Sequence, residues 1–356
     1  MAVIFAGCES NDFSNEENLY VKTGEPMDIG RNFALVTGVV NVAITDYESV
    51  QWGIMYSVDK NELASHNGNI VYSNDTLSNK MFSVCLTNLE EKTTYYYRAF
   101  VSLDNDQYQY GNIKNFTTIE TFFSVSNTTR VKFSSGNLQY HPANNKWRFA
   151  EYQTDYIGKA NANLSSNYNG WIDLFAWGTG NAPISSVDYS TFVDWGTNKI
   201  DIVARNTWRT LTEKEWNYLL IDRNNASCLC GVAQVQDSLM NTINGLILLP
   251  DNWICPQDII FKSGFHSNYG TAYYADYQTF TVAQWSELEA AGAVFLPAAG
   301  GRYHSNMYGV QEYGHYWSST EYNRDDAYSF GFNSDDARVG YSPRHSRHSV
   351  RLVKGL

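Results

Sequence analysis

Short alternating runs dominate this chain. Val36-Thr-Gly-Val-Val-Asn-Val-Ala43 and Val50-Gln-Trp-Gly-Ile-Met-Tyr-Ser57 interleave apolar and polar residues, and Asn67-Gly68 and Asn74-Asp75 supply turns. A period of two commits a segment to a pleated strand, because successive side chains leave on opposite faces. Composition points the same way. Charged residues make up 17% of the 356, below the usual quarter, and aromatics reach 15%, with 26 Tyr, 18 Phe and 10 Trp. That mixture excludes a disordered chain, a collagen, a coiled coil and a helical bundle. It predicts strands and structured loops with tyrosine-rich surfaces, in a chain long enough for two or three domains.

The formal net charge of −12 argues against a general nucleic-acid binder, since phosphate neutralisation needs a basic surplus. No run of 18 apolar residues exists, so no helical membrane span is expected. The five cysteines, Cys8, Cys85, Cys228, Cys230 and Cys255, are odd in number and irregular in spacing, which fits neither a disulfide framework nor a zinc ribbon. Cys228 and Cys230 lack the two-residue spacer of usual metal or redox pairs, and Cys85 and Cys255 are expected to act as small buried hydrophobes.

At the amino terminus, the short apolar stretch ending in Ala6-Gly7-Cys8 looks like the tail of a bacterial lipoprotein signal. The resemblance implies that, within residues 1–19, the stretch before Cys8 is a signal remnant, Cys8 is the lipid attachment residue and the residues after it form a polar tether. The expected location is then the cell surface, as an outer-membrane lipoprotein held through an N-terminal lipid.

Residues 20–118 read as a string of short strands. Leu89 stands six residues before Tyr95, which opens the run Tyr95-Tyr-Tyr97-Arg-Ala-Phe-Val101. This spacing resembles the tyrosine corner of fibronectin type III domains, in which the phenol bonds back to the backbone and locks a sandwich corner. Trp52 would fill the core of such an all-β, fibronectin/Ig-like sandwich. The resemblance implies a spacer or stalk.

From Phe122 onward tryptophans and Gly/Asn-rich loops multiply, and two helices are expected. Thr212-Glu-Lys-Glu215 and Thr281-Val-Ala-Gln284 are capping boxes, with Trp216, Leu219 and Leu220 inward after the first and Trp285 and Leu288 inward after the second, which Gly292 terminates. Strands are expected at Val131–Phe133, Trp147–Tyr152, Ile247–Leu249, Val294–Leu296, Tyr328–Phe332 and Val350–Val353. Residues 122–356 therefore read as an α+β domain.

That domain carries a second resemblance. Phe133-Ser-Ser-Gly-Asn-Leu-Gln-Tyr140, Trp147-Arg-Phe-Ala-Glu151, Trp171-Ile-Asp-Leu-Phe-Ala-Trp-Gly178, Leu211-Thr-Glu-Lys-Glu-Trp216, Phe295-Leu-Pro-Ala-Ala-Gly-Gly-Arg302, Tyr316-Trp-Ser-Ser319 and Ser349-Val-Arg-Leu-Val353 are similar to landmarks of Bacteroidales surface proteins. Those proteins have a C-type lectin-like fold and are related to the formylglycine-generating-enzyme and major-paralogous-domain groups. The closing layout is similar to that of the variable proteins of diversity-generating retroelements. The resemblance implies a C-terminal variable binding region at about 315–349.

In such systems template adenines are randomised, so AAC-type codons become codons ending in a pyrimidine, which cannot encode Lys, Gln, Glu, Met or Trp. None of these five types occurs in the 28 residues 322–349. Chance alone leaves a window of that length empty about one time in a hundred at this chain's usage. The same stretch has the make-up of an interface, with tyrosine and arginine anchors among Ser, Gly and Asn. The candidate ligand-binding residues are Tyr322, Asn323, Arg324, Asp325, Asp326, Tyr328, Asp336, Arg338, Tyr341, Arg344, His345, Arg347 and His348. Between Gly314 and Lys354 six bases face five acids, which suggests a basic, aromatic patch for a partner with acidic or polar features. The partner would be a macromolecule, protein or glycan, bound by a diversified face or by a non-diversified adhesin or fimbrial tip subunit.

Other chemistry finds little footing. His345 and His348 lie outside any helical pattern, so two histidines on one helix face are not available for zinc, and His304 and His315 stand elsewhere. Asp325-Asp326 and Asp335-Asp336 carry oxygen ligands, yet the sugar and calcium motifs of C-type lectins proper are missing. No cysteine follows Cys255, which disfavours the reactive pair of a formylglycine-generating enzyme. Asp173 and Asp188 near Trp171 and Trp177 read better as loop caps than as a glycosidase pair. No cofactor is implied, and binding rather than catalysis is expected.

Overall fold

The computed structural model describes residues 20–41, 49–75, 80–103, 107–184, 191–256, 258–264, 278–304 and 306–356; Cys8, the tether and Asp188 lie outside them. The chain divides into two compact units, Met1–Glu120 and Thr121–Leu356. Both are built mostly of strands.

In the first unit, β1 (Tyr20–Ile29), β2 (Ala34–Asn41) and β5 (Met81–Leu86) form one antiparallel sheet. The other contains β3 (Gln51–Ser57), β4 (Asn69–Tyr72), β6 (Thr94–Leu103), β7 (Gln107–Tyr110) and β8 (Lys114–Thr117), with β6 at its centre. The alternation is plain in β5. Phe82, Val84 and Leu86 point into a core shared with Val36, Ile54, Tyr97 and Phe116, while Met81, Ser83 and Cys85 face out. Cys85 is thus exposed, correcting the expectation of a buried thiol, and Cys255 in the second unit is exposed too. The tyrosine corner is formed. Leu89 and Tyr95 are buried, and the Tyr95 hydroxyl accepts the Glu90 N–H at 2.9 Å. Trp52 packs on the core only in part.

In the second unit, β14 (Cys230–Gln236) and β15 (Thr242–Leu248) form a hairpin continued by β17 (Val294–Pro297) and, in parallel, by β16 (Thr279–Phe280). Smaller sheets join β9 (Phe123–Ser124), β10 (Arg130–Phe133) and β24 (Val353–Gly355), and β11 (Leu138–His141) with β12 (Lys146–Phe149). Another runs in the order β13 (Phe175–Ala176), β23 (Arg347–His348), β18 (Gly301–Tyr303), β19 (Asn306–Tyr308). The last is β20 (Gly314–Glu321), β21 (Asp326–Phe332) and β22 (Ala337–Pro343).

Helix contributes little, and α1 (Lys60–Ala64) is a short one in the first unit. Both capping boxes are made, with Thr212 and Glu215 opening α2 (Glu213–Asn217) and Thr281 and Gln284 opening α3 (Val282–Ala290). Arg209 grips the Glu215 carboxylate with both terminal nitrogens, at 2.8 and 2.6 Å. After Asn217 the helix widens into a π turn over Tyr218–Asp222, which keeps Trp216 and Leu219 buried in one core. The expected strand at Val350–Val353 is only partly one. Val350 and Leu352 enter the core from a stretch outside any ladder, and pairing resumes at Val353.

Candidate ligand-binding face

The sheet β20–β21–β22 is fixed from within by the run Tyr316-Trp-Ser-Ser319. The Tyr316 hydroxyl donates to the Pro297 carbonyl at 2.9 Å, and the Trp317 indole donates to the Phe175 carbonyl at 2.7 Å. The Trp177 indole donates to the Ser318 carbonyl at 2.8 Å, and the Ser319 N–H to the Leu211 carbonyl at 2.8 Å. Three different segments therefore hold one strand, and β21 and β22 pair outward from it.

Alternation splits this sheet into two faces. Phe330, Val339, Phe332 and Ala337 pack toward the core that contains Trp216, whose ring stacks on Phe330 at 4.8 Å. Farther along the same face, Tyr328 and Tyr341 sit opposite each other in the ladder and leave the core. Tyr322 joins them. Its ring stacks on Tyr341 at 4.2 Å with 9° between planes, and meets Tyr328 edge-on at 5.2 Å. Tyr322 and Tyr341 are 46% and 58% exposed. Beside them, the turn between β20 and β21 is closed by the Asn323 side chain, which accepts the N–H groups of Asp325 and Asp326 at 2.7 and 2.8 Å. Arg324 and Asp325 project from it into solvent, and Asp326 is half-buried. The structure thus brings Tyr322, Asn323, Arg324, Asp325, Asp326, Tyr328 and Tyr341 together.

It does not bring in the rest. Arg338 sits opposite Gly331, on the other face of the sheet, with Asp336 at 3.3 Å from its Nε. Arg344, Arg347 and His348 are buried, which corrects the reading of them as outward contact groups. Arg344 lies over the Trp177 ring at 4.4 Å and donates to the Asn323 and Asp326 carbonyls, so it holds the turn instead of contacting a partner. Arg347 donates to the Pro183 and Ile184 carbonyls at 2.9 and 3.2 Å; burial, then the neighbouring Arg302, pulls its pKa down to about 10. His348 stacks between Trp317 at 4.3 Å and His315 at 4.7 Å, and burial holds its pKa well below the usual imidazole range. His345 is half-buried beside Tyr303 and His304, at ring separations of 5.1 and 5.5 Å.

These placements invert the charge argument. Arg344, Arg347 and Arg351 are interior, so beside the tyrosines the carboxylates of Glu321, Asp325 and Asp326 outnumber the exposed base there, Arg324. The patch is acidic and aromatic, not basic.

The face turned away from α2 carries a feature that composition concealed. Ser329, Gly331, Gly340 and Ser342 floor an open trough of about 280 Å³, with Tyr313 and His315 on one side and Asp336 and Arg338 on the other. Burial lowers the His315 pKa to about 4, leaving a neutral ring in the wall. Ladder pairing could have revealed the floor: once β21 and β22 are in register, the small residues fall on one side. A second cleft of about 580 Å³ lies between residues 154–159 and the tip of the β14–β15 hairpin, with Asp155, Lys159 and Asp237 in its lining.

Asp173 is interior. Its carboxylate accepts the Ile157 N–H at 2.9 Å and the Asn161 amide at 2.7 Å, and burial raises its pKa to about 6. Among the described residues no group of three His, Cys, Asp or Glu side chains could hold a metal ion. Among them, too, no helix is long and apolar enough to cross a membrane.

A domain of unknown function (DUF8237) matches residues 277–353, a stretch that contains β20, β21 and β22. No curated protein matches the chain. Among solved structures, the chain is similar to the sensor domain of the anti-sigma factor RsgI4 in Pseudobacteroides cellulosolvens, at 14% identity over 29% of this chain and 76% of that one, with a TM-score of 0.22. It is also similar to a fibronectin type III domain derived from the human KIAA0970 protein, at 12% identity over 33% of this chain and 88% of that one, with a TM-score of 0.21. A redesigned β-sandwich protein is 23% identical over 29% of this chain and 92% of that one, with a TM-score of 0.20.

Proposed function

We propose that this protein is displayed on a bacterial surface, with Cys8 as its lipid attachment, and binds a macromolecular partner, protein or glycan, through its C-terminal sheet. The second unit is read as a C-type lectin-like domain and the first as a fibronectin-like stalk. One observation carries the reading. Tyr322, Tyr328 and Tyr341 gather on one exposed edge, while the buried Arg344 and the Tyr316–Ser319 run anchor the backbone beneath them. Tyrosines give large contact area at small entropic cost, and a backbone fixed from inside lets them do so without reordering. The acidic surroundings favour a partner with basic or neutral polar features.

Diversification by a retroelement is the sharper form of the proposal. It expects codons to vary at Tyr322, Arg324, Tyr328, Arg338 and Tyr341 and to stay constant at Arg344, Arg347 and His348. Deep sequencing of the segment encoding residues 315–349 across a cell population tests this; variation spread evenly over both sets, or no variation, removes it. Binding itself is tested with labelled full-length protein on a glycan array and on a displayed protein library. For any partner found, Tyr322→Ala or Tyr341→Ala is expected to weaken binding about tenfold or more. Unchanged affinity in both variants rejects the face.

A further inference from the structure

We infer that the trough on the opposite face of this sheet, floored by Ser329, Gly331, Gly340 and Ser342, is a binding site for a neutral saccharide unit of one or two rings. The site shares Tyr341 with the tyrosine edge but not Tyr322 or Tyr328, and it would stand if that edge bound nothing.

The floor is the first argument. Glycine weakens a strand interior and is kept there for a bulge, a bend or the close approach of another group. Gly340 needs neither exception: its backbone is not left-handed, and a Cβ built on it meets nothing within 4 Å. Gly331 is similar, because its nearest neighbour would be His315 Nδ1 at 3.4 Å, an ordinary contact. Neither packing nor dihedral angle asks for these glycines. What they leave is an unfilled floor beside two hydroxyls, Ser329 Oγ and Ser342 Oγ, which lie 3.3 Å apart. Each hydroxyl has one donor and two acceptor positions, so this pair keeps capacity for a ligand.

The walls set the ligand class. Arg338 and Asp336 sit 3.3 Å apart and offset each other, and the remaining lining groups are uncharged, His315 included, so nothing there selects an ion. The lining mixes hydroxyl, amide, carboxylate and guanidinium groups with the aromatic residues Tyr313, Phe332 and Tyr341, a combination that suits a polar ring better than an aliphatic chain. Adjacent donor and acceptor groups over an unfilled floor fit neighbouring hydroxyls on a ring, and Tyr313 supplies a flat apolar wall. A volume of about 280 Å³ limits the occupant to one or two rings.

The experiment titrates the full-length protein with glucose, galactose, mannose, N-acetylglucosamine, lactose and cellobiose, followed by saturation-transfer NMR. At least one is expected to bind with a Kd in the millimolar range or tighter. Gly340→Val fills the trough with a β-favouring side chain, so it should keep or raise the melting temperature and weaken binding at least tenfold. Arg338→Ala, at an 81% exposed side chain, should weaken binding without touching the fold, which preserves the test if Gly340→Val misfolds. Ile202→Ala, at a 94% exposed residue outside the lining and outside the tyrosine edge, should bind as the parent does. Absence of binding by all six sugars overturns the inference. So does undiminished binding in Gly340→Val and Arg338→Ala, or binding lost in Tyr322→Ala alone, which would move the sugar to the other face.

Discussion

The guanidinium of Arg344 is 2% exposed, bonds two turn carbonyls, meets the Glu321 carboxylate at 3.1 Å and covers Trp177. Arg324, twenty residues earlier, points into water from the same turn. Arg344→Ala leaves two carbonyls and an indole face unserved and is expected to cost about 3 kcal/mol in urea unfolding, against less than about 0.5 for Arg324→Ala. The histidines make a second prediction. An unfolded imidazole titrates near 6.5, whereas His315 is pulled down to about 4 and His348 well below the usual range, in both cases first by burial. Between those values the unfolded chain holds more protons than the folded one, so stability falls as pH drops from about 6.5 to about 4. For His315 alone the loss approaches about 3 kcal/mol at the lower limit. Asp173, raised to about 6, acts in the opposite sense over much of the same range. The clean measurement is therefore the difference in pH slope between the parent and His315→Phe, which keeps the ring and removes the proton site.

Among the elements, Tyr95 ties the Glu90 backbone at the corner before β6, and Tyr95→Phe should lower the stability of the first unit by about 1 kcal/mol, read as a shift in its unfolding midpoint. That corner, the two capping boxes and the strand at Tyr328–Phe332 were legible in the sequence because each rests on local spacing. Tyr322 and Tyr341 were legible for a related reason, as large polar rings in a segment with few apolar neighbours. The stretch Arg344–Ser349 was not. It holds two arginines, two histidines and two serines, reads as surface, and is almost wholly buried, since a polar interior held by carbonyls and stacked rings leaves no hydrophobic pattern. The trough was hidden for another reason: Ser329, Gly331, Gly340 and Ser342 become neighbours only through the β21–β22 register.

Over the full chain, the core of the first unit, around Tyr97 and Phe116, is distinct from the cores of the second, around Trp216, Trp317 and Phe295. Calorimetry should therefore show Phe82→Ala lowering one transition by about 3 kcal/mol and leaving the other in place, with the reverse for Leu246→Ala. The second unit has another kind of interior as well. Among its described residues between 150 and 229 there is little regular structure, yet Arg223 reaches the Leu229 carbonyl, Arg347 reaches those of Pro183 and Ile184, and Asn161 and Asp173 tie their loop together. Irregular backbone stapled this way does not have the slack a protease needs to draw a strand of chain into its cleft. Trypsin, offered Lys159, Arg205 and Lys214 at the surface, should leave those bonds uncut for as long as the unit stays folded.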